Sequence, residues 1–328
     1  MHNGEKVEKM IEKKQNRHEA YELIQMQSLP LEAKIRMTEQ RIRIWHEAFD
    51  GEVYVSFSGG KDSTVLLDLC RRLYPDIEAA YSDTGLEYPE IRQFVKEFEN
   101  VTWIRPEKNF RQIILERGYP VISKEVARAI NYARKGNTKS GIYFMQKLNG
   151  TLIYDGKKSM YNMEKWKFLL DAPFKIDSSC CDVMKKRPFH KYEKETGKKP
   201  ILGTMASESR LRKQKWIQHG CNAFNQKRPV SQPMSFWTEQ DVLQYLVKYK
   251  VPYCSVYGDI VESEGKLTTT KCNRTGCMFC MFGCHLEKES RFQRMKESHP
   301  KQYEYCMKPV DEGGLGMKEV LDYINVKY

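Results

Sequence analysis

The sequence predicts an α/β fold built on a doubly wound parallel sheet, with N-terminal helices and a smaller cysteine-bearing C-terminal region. Three observations carry that expectation. Residues 53–57, Val-Tyr-Val-Ser-Phe, are β-branched and aromatic, which suits a buried strand. After a Gly-Gly turn, Val65, Leu66, Leu69 and Leu73 mark one face of a helix starting near Asp62. The alternation then continues: 77–81 reads as a strand, Ile91, Phe94, Val95 and Phe98 as a helix opened by Pro89, and 101–104 as a third strand. Strands alternating with helices imply right-handed crossovers and a parallel sheet, with the ligand beyond the strand C-termini.

The turn between first strand and first helix is Ser58-Gly59-Gly60-Lys61-Asp62-Ser63. Its glycines let the backbone approach an anion closely, and the free amides of the helix start, with the helix dipole, favour phosphate there. Lys61 adds a positive charge, Ser58 and Ser63 can donate hydroxyls, and Asp62 can cap the helix or hold a magnesium ion. It lacks the spacing of Gly-x-x-x-x-Gly-Lys-Ser/Thr and of the three-glycine dinucleotide fingerprint. A plain Gly-Gly turn is the alternative.

Before this core, residues 5–28 and 31–49 read as two helices, with Lys9, Lys13, Lys14, Arg17, Lys34, Arg36, Arg41 and Arg43 making the segment basic. A solvated helix pair is expected rather than a nucleic-acid arm. Asp83, after the second strand, is placed to bind a metal or a ribose hydroxyl, or to cap a turn. Residues 119–170 mix aromatics with lysines, Trp166 and Phe168 among them, and are expected to form a surface flap rather than a base-stacking platform. A strand returns at 200–203, and Thr238 with Asp241 opens a further helix as a capping box. The expected divisions are 1–50, 51–225 and 226–328.

Composition bounds the rest. Lys and Arg exceed Asp and Glu by 55 to 43 in 328 residues, a net charge of +12 that favours polyanionic partners or a basic solvated surface. No apolar run approaches the ~18 to 20 residues that cross a bilayer, and the charged N-terminus lacks a secretory core. A cytoplasmic protein without a membrane partner is expected. Ten cysteines there argue for metal or redox chemistry rather than disulfides. Cys277 and Cys280 have the spacing that lets two thiolates reach one metal, and softness selects an iron–sulfur cluster or zinc over magnesium. Cys272, Cys277, Cys280 and Cys284 form a wholly local alternative set, and free buried thiols a third reading. Cys70, on the first core helix, is expected to be packing.

The hexapeptide at 58–63 resembles the signature of the PP-loop ATP pyrophosphatases, the adenine nucleotide alpha hydrolase superfamily, which implies cleavage between the α and β phosphates of ATP. Further stretches resemble the phosphoadenosine phosphosulfate reductase family within it. They are Asp83-Thr84-Gly85 with Pro89-Glu90 and Phe94-Val95; Cys180-Cys181 with Lys185 or Lys186 and Pro188; Gly203 through Glu208-Ser209 and Arg212; and Trp237-Thr238 with Asp241-Val242 and Tyr245. Cys180-Cys181 together with Cys277 and Cys280 is similar to the cysteine set that holds a four-iron cluster in adenylyl sulfate reductases. Cys284-His285 only faintly resembles the reductases' terminal nucleophile. Two departures favour ATP over a sulfonucleotide: Met205 stands where the family pattern has arginine, and the hexapeptide is intact. The resemblance therefore implies ATP and magnesium at Ser58, Gly59, Gly60, Lys61, Asp62, Ser63 and Arg212, with Lys61, Asp62 and Asp83 catalytic. Arg210 and Lys213 are further phosphate candidates. The implied reaction adenylates a substrate for sulfur transfer, with DNA or tRNA as acceptor and a sulfur donor protein as partner. Sulfite release from a sulfonucleotide, and nucleotide sensing by a nucleic-acid-binding module with a structural metal, are the competing readings. The basic, aromatic stretch after the cysteines, Arg291 to Lys308, is expected to close the domain as an amphipathic helix more than to bind nucleic acid.

Overall fold

A computed structural model describes residues 18–328; the basic residues expected at 9–17 lie outside the described residues. Compactness groups the chain into two units. One runs to Asp83 and adds Tyr88–Ile104 and Phe189–Thr275; the other comprises Thr84–Glu87, Arg105–Pro188 and Gly276–Tyr328. Both the 51–225 and the 226–328 stretches contribute to both units.

The first unit begins with helices α1 (Ala20–Gln27) and α2 (Leu31–Ala48) and continues with β1 (Val53–Ser56), α3 (Lys61–Leu73), β2 (Ala79–Ser82), α4 (Pro89–Lys96) and β3 (Val101–Ile104). It resumes with β4 (Lys199–Leu202), α5 (Arg210–His219), β5 (Asn222–Ala223), β6 (Val230–Ser231), α6 (Glu239–Tyr249) and the hairpin β7 (Ile260–Ser263) and β8 (Lys266–Thr269). Six strands form one sheet in the order β3-β2-β1-β4-β6-β5, parallel throughout except for the β5–β6 edge. Val55 on the central strand pairs with Ala79 on one side and Ile201 on the other. The order reverses direction at β1, so its carboxyl end is the switch point where such sheets bind ligands.

The second strand starts two residues later than the sequence predicts. Ile77 donates its amide to the Tyr74 carbonyl at 3.0 Å, a turn that closes α3 and delays pairing. Phe98 falls beyond the end of α4, yet still joins the core by edge contacts with Phe57 and Phe94, each 4.9 Å between centroids. Helix α2 is less solvated than its charge predicts. Lys34 is buried, and its ammonium bonds both Asp241 carboxylate oxygens at 2.7 and 2.8 Å. Asp241 also accepts from the Thr238 backbone at 2.7 Å, completing the expected capping box of α6.

The second unit holds helices Phe110–Arg117, Lys124–Ala133 and Lys139–Asn149 and a C-terminal group, Arg291–Ser298, Pro300–Met307 and Met317–Tyr323. A short parallel pair, Val121–Ile122 with Met281–Phe282, joins the two sequence segments. The stretch after the cysteines forms two helices rather than the one expected, because Pro300 opens the second; Phe292 is fully buried, while Arg291 and Arg294 pair with Glu287. No helix among the described residues is long and apolar enough to cross a membrane.

Candidate functional site

The 58–63 turn lies at the carboxyl end of β1 and forms the N-terminus of α3, as the sequence predicts. Gly59 adopts φ +70°, and a Cβ there would stand 2.8 Å from Val95 Cγ2 and 2.9 Å from Ile91 Cγ2. Only glycine satisfies both the left-handed backbone and that close approach. Gly60 is the N-cap and supplies no side-chain acceptor, so the first amides of α3 are not capped by it. The serines brace the turn. Ser63 Oγ donates to the Gly60 carbonyl at 2.9 Å and accepts from the Ser58 amide at 3.1 Å, and the two hydroxyls lie 3.0 Å apart.

Lys61 is 4% exposed. Its amide donates to the Tyr257 hydroxyl at 3.1 Å, and that hydroxyl lies 2.8 Å from Thr275 Oγ1. Its ammonium donates to the Asn273 carbonyl at 2.8 Å and pairs with Glu239 at 3.0 Å. The position a phosphate oxygen would take at a helix N-terminus is therefore bordered by hydroxyls, a lysine and amides. Tyr257, Asn273, Thr275 and Glu239 carry no sequence signal tying them to the loop; folding brings them from about two hundred residues away.

Asp62 has one carboxylate oxygen, Oδ1, that is buried and has no hydrogen-bond partner. Burial pushes its carboxyl above the usual range, with Glu239 reinforcing this and Lys61, Arg274 and Arg212 opposing it. An orphaned buried carboxylate oxygen at a helix N-terminus fits a hard cation such as magnesium. Arg212 shares this field. It pairs with Glu208, which Arg274 also approaches at 3.6 Å, and burial lowers its guanidinium, as does Arg274. Asp83 follows β2 and is held bidentately by Arg92 at 2.8 and 2.9 Å, so a metal or ribose hydroxyl there would share the carboxylate with a guanidinium. Met205, in place of the patterned arginine, is 3% exposed and belongs to the apolar core.

In the second unit, Cys180 and Cys181 precede a π-helical turn, Asp182–Lys186. Cys277 and Cys280 are fixed by the Met278 amide donating to the Leu86 carbonyl at 2.8 Å and by the strand that begins at Met281. Cys180 lies within electrostatic reach of Cys181, Cys277 and Cys280. Burial raises each of the last two, Cys277 to about 11 against the pull of Lys185. Burial alone would lower Lys185; Cys277 and the Glu87 carboxylate, 3.2 Å away, outweigh it and raise the ammonium. The donor chemistry suits a soft metal or cluster. Among the described residues, however, no three His, Cys, Asp or Glu side chains form a metal-holding group, so these thiols are neighbours rather than an assembled ligand set. The local alternative is disfavoured by hydrogen bonding: Cys272 donates to the Arg274 carbonyl at 2.9 Å and Cys284 to the Met281 carbonyl at 3.1 Å. Burial also pushes Cys284 up to about 12.

The model of the phosphoadenosine phosphosulfate reductase domain matches residues 52–137 and 130–281. An uncharacterized protein of Methanocaldococcus jannaschii is 37% identical over 73 residues, 21% of this chain and 18% of its own length. A second from that organism is 25% identical over 272 residues, 80% of this chain and 42% of its own, so the chain spans less than half of either relative. The phosphoadenosine 5'-phosphosulfate reductase of Alkalilimnicola ehrlichii is 22% identical over 71% of this chain and 76% of that protein. With the parallel sheet, the glycine turn at its switch point and a domain model matching most of the chain, the protein belongs to the phosphoadenosine phosphosulfate reductase family.

Proposed function

We propose that the protein is an enzyme that binds ATP at the 58–63 loop and releases pyrophosphate, adenylating a substrate that then accepts sulfur. The observation that carries this reading is buried Lys61 at an α3 N-terminus whose N-cap, Gly60, supplies no side-chain acceptor, beside the orphaned Asp62 Oδ1. A substrate oxygen attacks the α phosphorus, the bond from that phosphorus to the α–β bridging oxygen breaks, and pyrophosphate departs with the electron pair. The amides of Gly59 and Gly60 and the Lys61 ammonium stabilise the departing charge, so catalysis is mainly positioning and electrostatics. Asp62 would hold magnesium, which supplies further charge neutralisation. Arg212 is a second phosphate contact, and Asp83, held by Arg92, is the further catalytic carboxylate beside Asp62. Cys180, Cys181, Cys277 and Cys280 would hold a four-iron cluster, which supplies redox or sulfur chemistry when bound, or a structural zinc. The net charge of +12 favours a nucleic acid, DNA or tRNA, as acceptor, with a sulfur donor protein as partner in the cytoplasm.

Reduction of a sulfonucleotide is the second reading, favoured by relatives that are phosphoadenosine and adenosine 5'-phosphosulfate reductases. Met205 argues against it, because an apolar residue there offers nothing to a sulfonucleotide anion. Product analysis separates them. The proposal expects pyrophosphate from ATP, lost in Lys61→Ala and Asp62→Ala; sulfite from a sulfonucleotide, with no pyrophosphate from ATP, would replace it with the second reading.

A further inference from the structure

Residues 139–168 of the second unit expose more apolar and aromatic surface than its packing explains. Ile153 and Tyr154 of a short hairpin are 67% and 80% exposed, and Met160 and Tyr161 beyond it are 87% and 61% exposed. With Tyr143 and Lys158 these side chains line a cavity of about 510 Å³. Single exposed apolar residues are ordinary, but a cluster around a concavity marks a binding surface.

The charge around the cavity selects the occupant. Residues 139–168 contain Lys139, Lys147, Lys157, Lys158, Lys165 and Lys167 against only Asp155 and Glu164. Lys147 is buried on Glu125, and Lys158 pairs with Glu164, while Lys157, Lys165 and Lys167 are exposed. Lys165 sits 5.0 Å over the Trp166 ring, so cation and aromatic surface are interleaved. A protein partner with an apolar face accounts for the tyrosines but not for the lysine excess. A polyanion whose flat rings are unpaired accounts for both, because bases stack on aromatics while lysines neutralise phosphates.

We propose that this face binds single-stranded nucleic acid, with an unpaired base held in the cavity against Tyr154 and Tyr161. The inference rests on the nucleic-acid acceptor of the proposed function and gives it a surface. The test is fluorescence anisotropy of a short fluorescein-labelled single strand, DNA and RNA in turn, against the matching duplex, without ATP and at two salt concentrations. Single strands bind more tightly than duplex, and the Tyr154→Ala/Tyr161→Ala variant loses about tenfold or more in affinity. Lys157→Glu/Lys167→Glu flattens the salt dependence. All four side chains are exposed, so the variants keep wild-type circular dichroism. Absent binding, a preference for duplex, affinity unchanged in the tyrosine variant, or concentration-dependent self-association that the tyrosine variant abolishes would each overturn the proposal. Pyrophosphate release from ATP and magnesium added to parallel samples separates the two readings: strand binding without release refutes only the catalytic one, and release without strand binding refutes only this surface.

Discussion

Replacing Gly59 with alanine tests the cradle at its tightest point. The new methyl meets Val95 Cγ2 at 2.8 Å and Ile91 Cγ2 at 2.9 Å, and both side chains are at most 2% exposed, so neither has room to retreat. Holding alanine at φ +70° costs about 1–2 kcal/mol, and overpacking a closed core about 1–3 kcal/mol more, or roughly 2–5 kcal/mol together. Gly197 in the same unit provides the control. It has φ +76° with nothing within 4 Å of a Cβ, so Gly197→Ala loses only the backbone share, about 1–2 kcal/mol. Urea unfolding followed by tryptophan fluorescence measures both. Gly59→Ala is expected to be the less stable and to lose ATP binding; equal midpoints would refute the steric reasoning, and intact ATP binding the claim that this turn holds phosphate.

Lys34→Met strands the Asp241 carboxylate beside an apolar side chain and is expected to cost about 3–5 kcal/mol by urea unfolding, much of it restored by adding Asp241→Asn. Asp62→Asn is expected to stabilise the protein in a pH-dependent way. Burial raises the Asp62 carboxyl in the folded state, so wild type and variant agree below the unfolded value, about 3.9, and diverge as pH rises from there to the folded value. Magnesium is expected to narrow that gap, and unfolding midpoints at several pH values, with and without the ion, measure it. Cys277→Ser is expected to lower bound metal by elemental analysis after anaerobic purification, and Cys306→Ser, at a buried thiol that donates to the Tyr303 carbonyl at 3.2 Å, to leave it unchanged. Because burial raises Cys277 to about 11, metal uptake is expected to weaken as pH falls.

The central strand, its glycine turn and the amphipathic helix after it are legible in the sequence because their causes are local: β-branched residues, φ +70° at Gly59, and a period of 3.6. The capping box of Thr238 and Asp241 is equally local. What was not legible depends on distant partners. Nothing near Lys61 announces Tyr257, Asn273 or Glu239, and nothing in a basic helix announces that Lys34 is buried on a carboxylate 207 residues away. Asp83 reads as a metal or ribose ligand or as a turn cap, and its local sequence does not reveal the guanidinium of Arg92 folded back over it. The cysteines lie between these cases. Their spacing pointed to neighbours, while their ligand geometry is a tertiary property.

Calorimetric titration of magnesium–ATP into the full chain and into Lys61→Ala probes the phosphate cradle with the least intervening inference. Saturable one-site binding to the wild type, weakened at least tenfold in Lys61→Ala, is the predicted result. Undiminished binding to Lys61→Ala would show that the nucleotide's phosphates sit somewhere other than the start of α3.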